Sequence, residues 1–335
     1  MFKENIGIEA YIMGKSTIFR KMLLEEPGMI VRPCAYDALS AILIEKAGFK
    51  VVGTSGYGIA ATLIGQPDIG LVSFGEMLER VRTIINAVSI PVDVDIDTGY
   101  GNPLNVYWTV FNFAKIGAAG VRIEDQVWPK KCGHMAGKQL VSIEEMIKKI
   151  KAAIRAKNEV DPDIVIGART DALSVAGLEE TIKRGIAYAK AGADYVWVET
   201  PTSLEIVETL VKKIPVPIAF NIIPGGRTTP FKIEDLERVG VKYLSIPMVC
   251  LYAATKAMIE ALKILKETRD LDKIVDMGVT WSEFNEIVGL SKWRRLELEF
   301  LTRDELLTRY GTTDLEEIIS KEIKETASKW KKSDS

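Results

Sequence analysis

The chain has 335 residues, of which 47% are hydrophobic and 27% charged, with Lys+Arg 44 set against Asp+Glu 46. This is the profile of a soluble globular protein with a full core, and a net charge of −2 lacks the basic excess that marks nucleic-acid binders. No stretch approaches the roughly twenty apolar residues that span a bilayer, so small molecules are the expected partners, not nucleic acid or a membrane.

Cys34, Cys132 and Cys250 lie far apart and form no CxxC pair, which fits a reducing cytoplasm and suggests neither a disulfide framework nor a zinc site. The first 28 residues are broken by charge and do not read as a signal peptide. Residues 15–26 have the spacing of a short amphipathic helix. Beyond them the pattern repeats: a short β-branched run, a loop, then a helical period. The expected strands are 29–34, 50–55, 91–97, 120–125, 163–169, 194–199, 216–221 and 241–247. Segments such as FGEMLERVRTIINAV, SIEEMIKKIKAAIRAKN and CLYAATKAMIEALKILKE supply the helices between and after them. Eight alternating units with short links predict a single (β/α)8 TIM barrel over 1–335, because parallel strands need helical crossovers. A doubly wound sheet is the alternative. It would carry a Gly-rich turn after the first strand, whereas GYGIAA, at 56–61, follows the second. From about residue 270 the pattern becomes helical and charged. Trp281, Phe284, Ile287, Val288 and Leu290 recur there at helical spacing, to be buried on a neighbouring subunit or on the chain's own barrel.

In PVDVDIDTGYGN, Asp93, Asp95 and Asp97 share one face of a strand, while Val92, Val94 and Ile96 share the other. In a barrel the acids face inward. In VRIEDQ, Arg122 and Glu124 do the same, so Asp95, Asp97 and Glu124 are expected to meet at the C-terminal mouth. Hard oxygen donors favour Mg²⁺ or Mn²⁺; the alternative is a set of strand-end acids paired with Lys or Arg. Asp93 lies deeper, and Arg122 is its expected partner. KKCGH follows on a Gly-bounded loop, where Lys130, Lys131 and His134 give Cys132 a thiolate-favouring setting, suited to an acid, base or nucleophile. His134 either orients this loop or moves a proton. Arg169, Glu199 and Asn221 close three later strands, and an arginine there can grip a carboxylate. The SGYG loop offers backbone N–H groups to an anion, or is ordinary turn chemistry.

PCAYDALSA, SGYGIAATLIGQPDIG, DIDTGYGN, IEDQVWPKKCGH, GKQLVS and ARTDA together resemble the isocitrate lyase and phosphoenolpyruvate mutase superfamily over roughly residues 28–266, and KKCGH looks like its lyase branch. The resemblance implies a Mg²⁺ site (Mn²⁺ as substitute) at Asp95, Asp97 and Glu124, with Asp68 in its outer shell. It implies a keto-acid site at Ser55, Gly56 and Tyr57, and a catalytic Cys132 with His134 and Arg169. Lys130, Gly133, Arg169, Glu199 and Asn221 are its further substrate contacts. It also implies an eighth helix exchanged between subunits of a homo-oligomeric dimer of dimers. Two positions depart: Gly53 stands where these lyases carry Tyr, and Tyr57 where some relatives carry Gly and isocitrate lyases Trp. The expected activity is Mg²⁺-dependent retro-aldol cleavage of a 2-hydroxy di- or tricarboxylate of the 2-methylisocitrate, isocitrate or 2,3-dimethylmalate type. The alternatives are an oxaloacetate hydrolase or decarboxylase of the same superfamily, a Schiff-base aldolase using Lys130 or Lys131, and a barrel that only binds a dicarboxylate.

Overall fold

A computed structural model describes residues 14–228 and 231–320. The readings of the first 13 residues, of the last 15, and of Thr229 and Pro230 lie outside the described residues. The eight expected strands all form: β1 (Ile30–Ala35), β2 (Val52–Thr54), β3 (Val92–Asp95), β4 (Gly120–Glu124), β5 (Val165–Thr170), β6 (Tyr195–Val198), β7 (Ile218–Asn221) and β8 (Tyr243–Ile246). Each pairs in parallel with the next, and β1 closes on β8 through the register Ile30↔Tyr243 to Pro33↔Ile246. The expected TIM barrel is therefore the fold.

Helices connect the strands in the expected order: α1 (Lys15–Leu24), α2 (Ala38–Lys46), α3 (Gly56–Ile64), α4 (Phe74–Ala87), α5 (Pro103–Lys115), α6 (Ile143–Val160), α7 (Ala172–Ala191), α8 (Leu204–Lys213) and α9 (Ile233–Arg238). Their starts follow local chemistry. Ser73 and Glu76 form a capping box on α4, Asn102 caps α5 ahead of Pro103, and the Ser142 side chain accepts from Glu145 N. Outward strand residues Val92, Val94, Val121, Ile123, Ile166 and Val196 pack against helix residues such as Val81, Ile84, Phe113, Met146 and Ile150. Period-two alternation thus sends the branched residues to the helices and the charged ones to the barrel axis.

The N-terminal end of the barrel is plugged by α1. Phe19, Met22 and Leu23 bury against Ala119, Val165, Tyr195 and Tyr243, with the Phe19 and Tyr243 rings 5.6 Å apart. Above this plug, the side chain of Arg32 crosses the axis from β1 to Asp93 Oδ2, which also accepts from Tyr243 Oη at 2.9 Å and Tyr195 Oη at 3.2 Å. Gly53 makes room for this crossing, because a Cβ there would stand 2.5 Å from Arg32 Nε and 2.7 Å from Cys34 Sγ. The expected partner of Asp93 is therefore corrected. Arg122 pairs with Asp95 Oδ2 at 2.8 Å, because the β3–β4 register sets Asp95 opposite Arg122 and Asp93 opposite Gly120.

The chain divides into two compact units at residues 254 and 255, a boundary that falls within α10 (Val249–Thr268). In the second unit α10 is followed by α11 (Asp272–Val275), α12 (Trp281–Ile287), α13 (Leu290–Phe300) and α14 (Arg303–Tyr310). Trp281, Phe284 and Val288, expected to bury on a neighbouring subunit or on the barrel, are 49%, 43% and 43% exposed in the single chain.

Removing one partner of a buried ion pair strands the other charge, a loss of about 3–5 kcal/mol. Asp93→Ala should therefore lower the unfolding free energy, measured by denaturant titration, by that amount; a loss under about 1 kcal/mol would show that Arg32 does not depend on Asp93.

Candidate active site

The C-terminal ends of the strands deliver most of the expected residues to one cavity. Its lining includes Ser55, Gly56, Tyr57, Asp68, Asp95, Cys132, Gly133, His134, Arg169, Glu199 and Asn221. Asp97, Glu124 and Lys130 are buried beside it. The Ser55 hydroxyl accepts from Gly58 N at 3.0 Å and caps α3. The first N–H groups of α3, at Gly56 and Tyr57, have no intrahelical acceptor and form a natural anion seat.

The acids gather as expected, but around side-chain cations. Lys130 Nζ lies 2.5 Å from Asp68 Oδ1 and 2.8 Å from Asp97 Oδ1. Arg169 Nε lies 2.9 Å from Asp171 Oδ2, 3.3 Å from Glu124 Oε2 and 3.4 Å from Glu199 Oε2. Lys138 Nζ donates to Asp171 Oδ1 at 2.8 Å. Six carboxylates (Asp68, Asp95, Asp97, Glu124, Asp171, Glu199) thus contact four cations (Arg122, Lys130, Lys138, Arg169), leaving two negative charges in excess. The carboxyl groups respond unequally. Burial, which the Lys130 contact only partly offsets, and then the neighbouring Asp95 and Asp68 raise Asp97 to a pKa of about 6. Burial lifts Glu124 well above the ordinary range. Burial also disfavours ionised Asp95, yet Arg122, Lys130 and Arg169 outweigh it and hold that pKa low. Asp97 itself lies past the end of β3 in a left-handed conformation, φ 49°, which a short polar side chain tolerates.

These residues fit a hard divalent cation in charge and donor type: the oxygens are carboxylate, the acids are buried, and Glu124 Oε1 has no hydrogen-bond partner. Among the described residues no three His, Cys, Asp or Glu side chains are arranged to ligate one ion directly. The match is therefore one of charge and chemistry, with Lys130 as the cation now in contact.

Two expectations about the loop are corrected. Cys132 does not sit in a thiolate-favouring setting: burial, with help from Asp68 and Glu199, raises its thiol to about 11 despite Arg169. Tertiary closure, not local sequence, sets its surroundings, for its backbone N–H donates to Asp68 O at 3.0 Å. Lys130, proposed as a Schiff-base nucleophile, is held as an ammonium. Burial favours the neutral amine, but Asp68 and Asp97 overcome it and push the pKa well above the ordinary lysine value. His134 orients the loop: Nδ1 accepts from Arg227 N at 2.8 Å, which leaves Nε2 to donate, 3.2 Å from both Asn221 Oδ1 and Glu199 Oε1. Glu199 also accepts from Trp197 Nε1 at 2.9 Å, and Arg169 and His134 outweigh burial to hold its pKa low.

Sequence reasoning missed Arg32 and Trp197, which line the cavity, and assigned no role to Lys138 or Asp171, although both lie within the quoted GKQLVS and ARTDA stretches.

A barrel whose strands bring carboxylates, arginines and a loop-borne cysteine to one cavity defines a barrel enzyme with its site at the usual C-terminal mouth. Residues 19–266 match the family model described as phosphoenolpyruvate phosphomutase. The chain is 43% identical over 280 residues to 2,3-dimethylmalate lyase of Eubacterium barkeri, covering 84% of this chain and 96% of that protein. It is 35% identical over 292 residues to 2-methylisocitrate lyase of Aeropyrum pernix, covering 87% and 93%. Among solved structures it is similar to oxaloacetate acetylhydrolase in complex with 3,3-difluorooxalacetate (TM-score 0.81, 31% identity, 84% and 96% covered). It is also similar to phosphonopyruvate hydrolase in complex with oxalate and Mg⁺⁺ (TM-score 0.78, 29% identity, 87% and 100% covered). The chain belongs to the phosphoenolpyruvate mutase and isocitrate lyase superfamily, and it is a carbon–carbon lyase of that superfamily.

A thiol held at about 11 is a minor thiolate at neutral pH. Iodoacetamide modification of Cys132, followed by peptide mass spectrometry, should rise about tenfold per pH unit from 7 to 10 without a plateau. A plateau near pH 8 would contradict the buried thiol.

Proposed function

We propose that this lyase cleaves a 2-hydroxy di- or tricarboxylate of the 2,3-dimethylmalate or 2-methylisocitrate type into an α-keto acid and a carboxylate, with Mg²⁺ or Mn²⁺ as cofactor. The observation that carries this reading is the placement of a protonated Cys132 thiol on the same cavity as Arg169 and the acid cluster. The two named lyase relatives support the substrate class, and the Mg⁺⁺ and oxalate complex of a structural neighbour supports the cofactor.

Asp95, Asp97 and Glu124, with Asp68 outside them, are the residues that would hold the ion. When bound, such an ion orients the hydroxy-carboxylate and stabilises negative charge on its oxygens. The α3 N-terminus at Ser55, Gly56 and Tyr57 seats the keto-acid carboxylate. A bound ion would keep Glu124 as a carboxylate, and its Oε1, which has no hydrogen-bond partner, would then accept the substrate hydroxyl proton. As the carbon–carbon bond breaks, its electron pair moves onto the departing carboxylate, where Arg169 stabilises the charge. Cys132 Sγ, a thiol at working pH, then protonates the carbon left behind. Gly53 offers no hydroxyl here, and Arg32 occupies the space above it. The same reading includes a cytoplasmic homo-oligomer, a dimer of dimers with an exchanged eighth helix. The exposed Met258, Ile259, Leu262, Trp281 and Phe284 support it, and no helix among the described residues is long and apolar enough to cross a membrane.

The direct test is a panel of 2,3-dimethylmalate, 2-methylisocitrate, isocitrate and oxaloacetate, the last included because of the acetylhydrolase neighbour. One hydroxy acid should release an α-keto acid, with activity lost in EDTA and restored by Mg²⁺. Cys132→Ser should lower kcat by about 10²–10⁴-fold at nearly unchanged KM. Near-normal turnover by this variant would remove Cys132 as the proton donor.

A further inference from the structure

The loop that carries Cys132 is fixed at its base by the Gln126↔Leu140 bridge and the Val127 N to Gln139 O hydrogen bond. Its far end is fixed differently. Lys138, buried with its ammonium inward, donates to the carbonyl of Gly133, directly after Cys132, and at 2.8 Å to Asp171 Oδ1. The same Asp171 carboxylate accepts from Arg169, Nε at 2.9 Å and Nη2 at 3.2 Å. Asp171 itself is held firmly. Its N–H donates to Asp125 Oδ1 at 3.0 Å, and Asp125 Oδ2 accepts from Thr170 Oγ1 at 2.7 Å, Tyr188 Oη at 2.8 Å and Arg184 Nη1 at 3.0 Å. Neither Lys138 nor Asp171 lines the cavity, whereas Arg169, Cys132 and Gly133 do. Gly133 is pressed onto this machinery, since a Cβ there would stand 2.4 Å from Arg169 Nη2 and 2.5 Å from Glu199 Cδ.

We infer that Asp171 and Lys138 are positioning residues that form one latch: the Asp171 carboxylate is shared between the substrate-gripping Arg169 and the loop lysine, so that filling the site and closing the Cys132 loop are coupled. The inference rests on the proposed role of Arg169 toward a substrate carboxylate. Arg169 faces Asp171, Glu124 and Glu199 together. An incoming carboxylate draws the guanidinium forward, and Lys138 is left as the main cation on a buried Asp171. That ion pair strengthens, and with it the tie to Gly133 that seats Cys132. Substrate and closure therefore favour each other reciprocally.

The experiment reads the loop without turnover, so that its failure is distinguishable from a wrong substrate assignment. Cys132 alkylation by iodoacetamide is followed by peptide mass spectrometry in the full chain, with and without oxalate plus Mg²⁺ as the probe. Lys138→Met leaves the Arg169–Asp171 contact in place. It should raise the alkylation rate at least about tenfold, largely remove protection by oxalate and, on any substrate found, lower kcat far more than it raises KM. Lys138→Arg should restore alkylation to within about threefold of the parent. Asp171→Asn should open the loop and raise KM as well, because Arg169 loses its fork. Should that variant fail to fold, Lys138→Met decides alone. Alkylation of Lys138→Met at the parent rate, with oxalate protection intact, would overturn the latch.

Discussion

Charge density at the barrel mouth is the constraint from which the rest follows. Asp68, Asp95, Asp97, Glu124, Asp171 and Glu199 are all at least nine-tenths buried, and the cations in contact with them leave two negative charges unanswered. Desolvated carboxylates that close together share their burden unequally, so Asp97 and Glu124 shift toward the protonated form while Asp95 and Glu199 stay ionised. An arrangement that holds acids in such different states is costly as scaffold and useful as chemistry. The excess of two charges also matches a divalent ion more simply than a further side chain.

Such a cluster needs a rigid floor, and the barrel interior supplies one. Arg32 spans the axis to Asp93 Oδ2, the Tyr195 and Tyr243 hydroxyls donate to the same oxygen, and Phe19 of α1 seals the end below. Arg122 stacks on Trp197, its guanidinium carbon 4.0 Å from the ring centroid, while reaching Asp95. The floor is thus a layer of two guanidinium groups and three large aromatic rings, on which the acid layer rests. Gly53 is the space that lets Arg32 into this layer.

The barrel was legible in the sequence because strand alternation and helix capping are local. Val92, Val94 and Ile96 against Asp93, Asp95 and Asp97 state their faces within six residues, and Ser142 with Glu145 states the start of α6. Pairings across the axis were not legible. Whether Arg122 meets Asp93 or Asp95 is decided by inter-strand register, which no single strand encodes, and Arg32 reaches Asp93 only because a different strand carries a glycine. The loop misled for a similar reason. Lys130 and Lys131 beside Cys132 suggest a thiolate, yet Lys130 turns inward to Asp68, 62 positions away in sequence, so its charge is not spent on the sulfur.

The geometry therefore links three tasks through shared carboxylates. Asp68 accepts the Lys130 ammonium and, through its backbone, the Cys132 N–H; Asp171 holds both Arg169 and Lys138; Glu199 touches Arg169, His134 and Asn221. Shared carboxylates thus join Cys132, Arg169 and the acid cluster. The central claim is that the excess charge at the mouth is there to hold one divalent ion. Titration of metal-free protein with Mn²⁺, followed by electron paramagnetic resonance, tests it most directly. The account predicts one bound ion per chain, with affinity reduced at least about tenfold by Asp97→Asn and by Glu124→Gln. The absence of a bound ion, or binding indifferent to both substitutions, would contradict it.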